Sequence, residues 1–340
     1  MNSMKATNTC CKLLLLVCLL LNLTGCKSEQ KLTRQIFAMD TYMELTAYGK
    51  NAEVALTGVI NTINQTALDW DPEVEKSTVY AMNHAQGAPI VVSPEIADML
   101  TTAKTVYDQT GGALDLTVYP VVKAWGFIDS AHTVPTADEI QQLKSVPCFD
   151  AVNLDIHTVT MPAGTELSFG ATAKGAMAER AKNIVKEYGV KSAFLSLGGN
   201  VQTIGHKPDG SKWRVGVQDP NNLTGYLGIV SIGEQAVVTS GSYQRYFEAD
   251  GKTYHHIIDP ATAAPAESGL VSVTIICDSG TMADCLSTAM FILGEEAALE
   301  YRSAYGGFDM ILVTENNRVI VAGDVEFEAT ADGYTYEYVK

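Results

Sequence analysis

The sequence predicts an α+β protein with largely antiparallel sheet. Strand-like segments come in pairs joined by two-residue turns, at Gly198-Gly199, Asp250-Gly251 and Asn316-Asn317. Most helical segments precede residue 190 and strands dominate after it, so the elements are segregated and do not alternate strand–helix–strand. No internal repeat, low-complexity tract or clean interdomain linker breaks the chain, and 340 residues suit one large domain or two intimate ones.

At the start of the chain, Lys5 and Lys12 precede an apolar run from Leu13 to Leu23 that leads into "LTGC". The run is too short for a stable membrane span, and its basic flank and small-residue end read as a secretory signal, residues 1–25. A cysteine at the cleavage point looks like a bacterial lipobox, which makes Cys26 the lipidated first mature residue and its acyl chains the membrane tether. Residues 26–33 then form a lipidated tether and 34–340 the working domain. The expected location is the extracytoplasmic face of a bacterial membrane, periplasmic in a Gram-negative cell.

"RQIFAMDTYMELTAYG" reads as a strand pair or one long strand. Helices are expected over 51–67 and 94–109, the second with Ser93 as N-cap, Pro94 at its first position and Gly111-Gly112 past its end. "TADEIQQL" holds a capping box, Thr136 with Glu139, inside a peripheral excursion over 126–165. A helix over 172–188 leads to "SAFLSLGGNVQTIG", a strand, a Gly-Gly turn and a strand, and then to the strands "WRVGVQDP" and "LGIVSI". In "SYQRYFEADGKTYHHIID" the Asp250-Gly251 pair suits a type I′ hairpin, which sets Tyr246 opposite His255 and Arg245 opposite His256. A last helix from Met282 to Tyr305 ends at Gly306-Gly307, and "FDMILVTENNRVIVA" returns as two strands.

The formal net charge is −16. Removing residues 1–25 takes away Lys5 and Lys12 and no acid, which moves it to −18. Such a surface repels nucleic acid, so no nucleic-acid partner is expected. An anionic substrate then needs a local correction from a metal ion, a helix N-terminus or a well-placed Lys. Cys10, Cys11 and Cys18 leave with the signal. Cys148, Cys277 and Cys285 have no metal-site spacing and are expected as small buried apolar residues.

Three constellations could carry chemistry. In "MADCLSTAMFILG", Asp284 and Thr288 lie at i and i+4 and share a helix face. Asp284 can cap that helix from the third position after Thr281, or its hard oxygen can join the Thr288 hydroxyl as ligands for Mg²⁺. In "SFGATAKGAMAER" a Gly-containing turn opens a helix with Lys174 at its start, which makes an anion site or an ordinary helix start. The hairpin sends His255 and His256 to opposite sheet faces. One is filling, and the other, near Asp259, is a candidate acid–base group.

Taken together and in order, "AMDTYM", "STVYAMN", "TGGALDLTVYPVVKAWGF", "GATAKGAM", "LSLGGN", "WRVGVQDP", "VVTSGSYQRYFEADGKTYHHIIDP" and "ADCLSTAMFILG" resemble the FAD:protein FMN transferase (ApbE) family. The resemblance covers nearly the whole mature chain. It implies an ApbE-like flavin transferase fold and a Mg²⁺-dependent transfer of the FMN moiety of FAD to a threonine hydroxyl of an acceptor flavoprotein, with AMP leaving. The acceptor implied is a membrane electron-transfer or ion-pumping subunit. By the same resemblance Asp284, Thr288 and the Ala171 carbonyl are metal ligands, and Asp284 and His256 are the catalytic pair. Met39, Tyr80, Ala113, Leu114, Asp115, Ser168, Lys174, Ile258 and Ser287 fall where the family contacts FAD. The sequence departs from the pattern at Ser168, where an Asp is usual, at Leu114 and Leu116, where Phe and Pro are usual, and at Ala263, where a Gly is common. Two other activities would use the same parts: hydrolysis of FAD to FMN and AMP, and storage of FAD without catalysis.

Overall fold

The computed structural model describes residues 30–146 and 149–340. The signal, the Cys26 anchor and Cys148 lie outside the described residues. A nine-stranded sheet runs through the molecule. Its strands, β1 to β9 in chain order, are Lys31–Ala38, Thr41–Tyr48, Ala193–Leu197, Asn200–Ile204, Ala236–Gly241, Leu270–Cys277, Asp309–Thr314, Arg318–Ala322 and Thr335–Val339. Each strand pairs with the next in this order, and every pairing is antiparallel except the last. The largely antiparallel α+β expectation holds. β1 begins at Lys31, within the stretch expected as tether, because Lys31 to Thr33 are laddered onto Tyr48 to Thr46.

The helices are α1 (Ala52–Asp69), α2 (Thr78–Asn83), α3 (Pro94–Thr110), α4 (Tyr119–Ala124), α5 (Ala137–Leu143), α6 (Ala173–Glu187), α7 (Gly280–Leu293) and α8 (Glu295–Tyr305). Alternation along the strands divides the core into two layers. Leu45, Leu195, Val238, Ile275 and Leu312 face the helices. Val201, Val237, Ile276, Ile311 and Val321 face the hairpin Trp213–Asp219 with Asn222–Ile232, whose Trp213, Val217 and Val230 cover them. The sheet is thus buried on both faces. At about 25 cal/mol per Å² of apolar surface, this two-sided burial is the main stabilising contribution.

Local signals place the elements where they were expected. Ser93 and Thr136 cap α3 and α5 through their hydroxyls, and Thr136 with Glu139 completes the capping box. Asp250 and Gly251 both have positive φ (51° and 76°), and the hairpin pairs Tyr246 with His255 and Ala249 with Lys252. The 126–165 stretch carries α5 without a buried residue, yet Phe149, Val159 and Met161 anchor it in the main core.

Two expectations fail around the last helix. It is not continuous from Met282 to Tyr305, because Gly294, at φ 81° and ψ 177°, breaks it into α7 and α8. Gly294 accepts from Ala298 to start α8 and donates to Met290 to end α7, so one positive-φ glycine serves both ends. The N-cap of α7 is Ser279, whose hydroxyl accepts from Met282 N–H, not Thr281. Asp284 therefore sits in the second turn, too far along to cap its own helix. α7 is buried nearly all round, as suits the central helix of the fold.

Candidate active site

The site forms where α6 crosses α7. Gly175 and Gly280 meet at this crossing without room for a side chain. A Cβ on Gly175 would lie 2.1 Å from the Gly280 carbonyl oxygen and 2.6 Å from Asp284 Cβ. A Cβ on Gly280 would lie 2.5 Å from the Gly175 carbonyl oxygen. The contact lets each helix cap the other. Asp284 Oδ2 accepts from Gly175 N–H at 2.8 Å in the first turn of α6. Glu179 of α6 in turn accepts from Ser279 Oγ (2.8 Å), Thr281 Oγ1 (3.1 Å) and Thr281 N–H (3.3 Å) at the start of α7. Each carboxylate lies at the positive end of the other helix, where its oxygens meet N–H groups that a helix start leaves unpaired.

Gly175 is the third residue of α6, so its N–H is one of those that a helix start leaves without an internal partner, and Asp284 supplies the acceptor. The Ala171 carbonyl precedes the Thr172 N-cap and lies outside the helical ladder, whose first bond runs from Ala176 N–H to the Thr172 carbonyl. Asp284 is 4 % exposed, and its Oδ1 accepts from Asn200 Nδ2 at 3.0 Å. Thr288 is half-buried one turn on, its Oγ1 3.5 Å from the Asp284 carbonyl and 3.4 Å from Ser240 Oγ. Ser287 is fully buried; it donates to the Asp284 carbonyl at 2.9 Å and lies 2.8 Å from Ser240 Oγ. Among the described residues no cluster of three or more His, Cys, Asp or Glu side chains could hold a metal. A metal here would have to use the mixed set of one carboxylate, one hydroxyl and one main-chain carbonyl.

The two histidines separate as the register requires. His255 uses both ring nitrogens inside the protein, one with the Ala266 carbonyl (3.0 Å) and one accepting from Ile257 N–H (3.3 Å), and its ring packs edge-on to Phe291. His256 Nδ1 lies 3.1 Å from the Arg245 carbonyl. A carbonyl only accepts, so Nδ1 carries the proton and Nε2 keeps its lone pair. Burial pushes the His256 pKa down to about 3, and the positive charges of Arg245 and Lys174 add to the effect. The imidazole is therefore neutral across the physiological range. The Asp259 carboxylate does not orient His256; it accepts from Ala261 N–H at the following turn.

The remaining candidates are spread over other segments. Asp115 is buried, and its carboxylate accepts from Thr117 N–H (2.7 Å), Thr117 Oγ1 (2.6 Å) and Phe149 N–H (3.2 Å). Burial raises its pKa against those hydrogen bonds. Ala113 and Leu114 are buried beside it, and Ser168 N–H donates to the Leu116 carbonyl, which joins the 113–116 and 168–171 segments. A cavity of about 220 Å³ opens between Gly112, Asp115, Thr117, Pro260 and Ala261. Ile258 lies just before its rim, buried in the cluster of Trp125, Phe127 and Phe247. Met39 occupies the β1–β2 turn at φ 51°, and Tyr80 on α2 stacks on His84 with ring centroids 3.8 Å apart. Among the described residues neither shares a hydrogen bond with Asp284, Thr288 or His256. Ala263 has φ 54°, in the left-handed region where glycine is unstrained, which accounts for the glycine usual there.

Sequence reading passed over Gly175, Glu179, Asn200, Ser240 and Gly280. A glycine in a helix interior costs about 1 kcal/mol relative to alanine, so Gly175 was the available signal of a close approach. Cys277 and Cys285 are buried free thiols, as expected, and burial raises the pKa of both.

A model of the ApbE family matches residues 39–312. The chain is 35% identical over 269 residues to a FAD:protein FMN transferase of Klebsiella pneumoniae, covering 76% of this chain and 82% of the relative. It is 32% identical over 330 residues to a FAD:protein FMN transferase of Treponema pallidum, covering 89% and 91%. Among solved structures, an ApbE protein of Thermotoga maritima aligns with a TM-score of 0.79 at 28% identity, covering 88% of this chain and 97% of that one.

Proposed function

The chain belongs to the ApbE family, and on that premise we propose that it transfers the FMN moiety of FAD to a threonine hydroxyl of an acceptor protein, releasing AMP, with Mg²⁺ held at Asp284. The observation that carries this reading is the α6–α7 crossing, where Gly175 N–H holds Asp284 Oδ2 one helical turn from the Thr288 hydroxyl. The donors that remain fit the ion. Asp284, Thr288 and the Ala171 carbonyl offer only hard oxygens, and Mg²⁺ takes few protein ligands and keeps its other positions for water and phosphate. When bound there, Mg²⁺ would neutralise the pyrophosphate and stabilise charge developing on AMP.

The protein's own part is positioning and proton movement. His256, its Nδ1–H held by the Arg245 carbonyl, offers Nε2 to the acceptor's threonine O–H. The hydroxyl oxygen forms a bond to the FMN phosphorus, the bond from that phosphorus to the AMP oxygen breaks, and the threonine proton passes to Nε2. Lys174 and Arg245 hold positive charge around His256 in a chain of net charge −16. That is the local correction an anionic dinucleotide needs.

The enzyme acts from the extracytoplasmic face of the membrane, anchored through lipidated Cys26; the leader sequence supports this. Its acceptor is a membrane electron-transfer or ion-pumping subunit. The deciding experiment incubates the protein with FAD, Mg²⁺ and a candidate acceptor and resolves the products. Flavin fluorescence on the acceptor in a denaturing gel is the expected result. Free FMN alone would mean hydrolysis, and intact FAD would mean storage; either overturns the transferase reading.

A further inference from the structure

Asp284 is carried by α7, but two other elements fix its orientation. Gly175 N–H of α6 holds Oδ2, and the Asn200 side-chain amide at the start of β4 holds Oδ1. Asn200 is 2 % exposed and directly follows the Gly198-Gly199 turn, in which both glycines have positive φ (63° and 93°). That turn is itself pinned. Gly198 N–H donates to the Tyr42 carbonyl at 3.1 Å, and a Cβ on Gly198 would lie 2.2 Å from Thr41 Oγ1. The position of the Asn200 amide is therefore set by the β1–β2 and β3–β4 hairpins and not by α7.

Each carboxylate oxygen has two lone-pair positions. Gly175 occupies one on Oδ2 and Asn200 one on Oδ1, so the carboxylate plane cannot rotate without losing a bond. The free positions are then directed by the fold. We propose that Asn200 is a positioning residue: it fixes the Asp284 carboxylate in the plane that, with Thr288 and the Ala171 carbonyl, receives the metal. This assignment rests on the metal reading given above and can fail separately from it. Hydrogen-bond partners of metal ligands typically contribute about 10- to 100-fold in metal affinity.

The test is calorimetric titration of Mg²⁺ into the FAD-free protein, wild type against Asn200→Ala, together with the Mg²⁺ dependence of flavin transfer. Asn200→Ala should weaken Mg²⁺ binding by about 10- to 100-fold. Excess Mg²⁺ should restore its rate, with KM for FAD unchanged at saturation. A structural role alone would instead lower the rate equally at every Mg²⁺ concentration, and that result overturns the proposal. So does wild-type Mg²⁺ affinity in the variant. Wild-type protein that takes up no Mg²⁺ overturns the metal reading itself and this assignment with it. Asn200→Ser keeps a polar atom too short to reach Oδ1 and carries the same expectation if the alanine variant does not fold.

Discussion

Gly175 N–H donates to Asp284 Oδ2 at 2.8 Å across a crossing where neither helix has space for a side chain between them. The backbone of one helix thereby positions the Asp284 carboxylate of the other. Replacing Gly175 with Ala would force its Cβ to within 2.1 Å of the Gly280 carbonyl oxygen. Overpacking of this kind costs about 1–3 kcal/mol, or more where backbone must move. Gly170→Ala, whose Cβ would meet only Ser168 Oγ at 3.7 Å, should be near neutral. Denaturant unfolding of both variants checks the pair, and equal stabilities would contradict the crossing.

Asp284→Asn removes the charge and turns one acceptor into a donor. The new amide would face either Gly175 N–H or Asn200 Nδ2, both of which are donors. A buried donor left unpaired costs about 1–3 kcal/mol, more than a lost cap interaction would. The variant should therefore lose both stability and Mg²⁺-dependent transfer. Unfolding curves and the gel assay measure the two losses; wild-type transfer by the variant would show that Asp284 is structural only.

His256→Ala should slow transfer by about 10²–10⁴-fold while the protein still binds FAD. His255→Ala removes two partly buried hydrogen bonds and the Phe291 contact. It should lower stability but leave the rate per folded molecule close to normal. Kinetics normalised to the folded fraction separate the two. A severe His255 defect beside a near-normal His256 variant would invert the assignment.

His256 also sets a pH signature. Its pKa falls from 6.5 in the unfolded chain to about 3 in the folded one. Between those values the unfolded state binds the extra proton, so this residue lets stability fall as pH drops from 6.5 towards 3, with its full contribution present above 6.5. In FAD-free protein an NMR titration should show the His256 ring neutral at pH 5. A midpoint near 6.5 would mean that the ring is open to water.

Cys26→Ser should release the domain into the soluble extracytoplasmic fraction with its chemistry unchanged. Fractionation followed by the flavin-transfer assay checks this. Unmodified protein already soluble there would remove the lipid anchor from the account.

The sequence by itself determined what depends on neighbouring residues. Ser93, Thr136 and the Asp250-Gly251 turn act within a few positions, so the caps, the hairpin register and the opposite facing of His255 and His256 could be read directly. Lys174 and Asp284 were visible as candidates because helix periodicity and composition are local as well. The tertiary structure decided what each of them meets. Asp284 looked like a cap because an acid near a helix start lowers the energy of that helix's own N–H groups. Its actual partners, Gly175 and Asn200, are 109 and 84 residues away, on α6 and β4. Gly294 broke the last helix for a similar reason. An apolar helical pattern runs through it, but its backbone, at φ 81°, comes within reach of Ser268, where a Cβ would lie 3.1 Å from a carbonyl oxygen. Close packing between distant segments is a property of the assembled volume, and no local spacing encodes it.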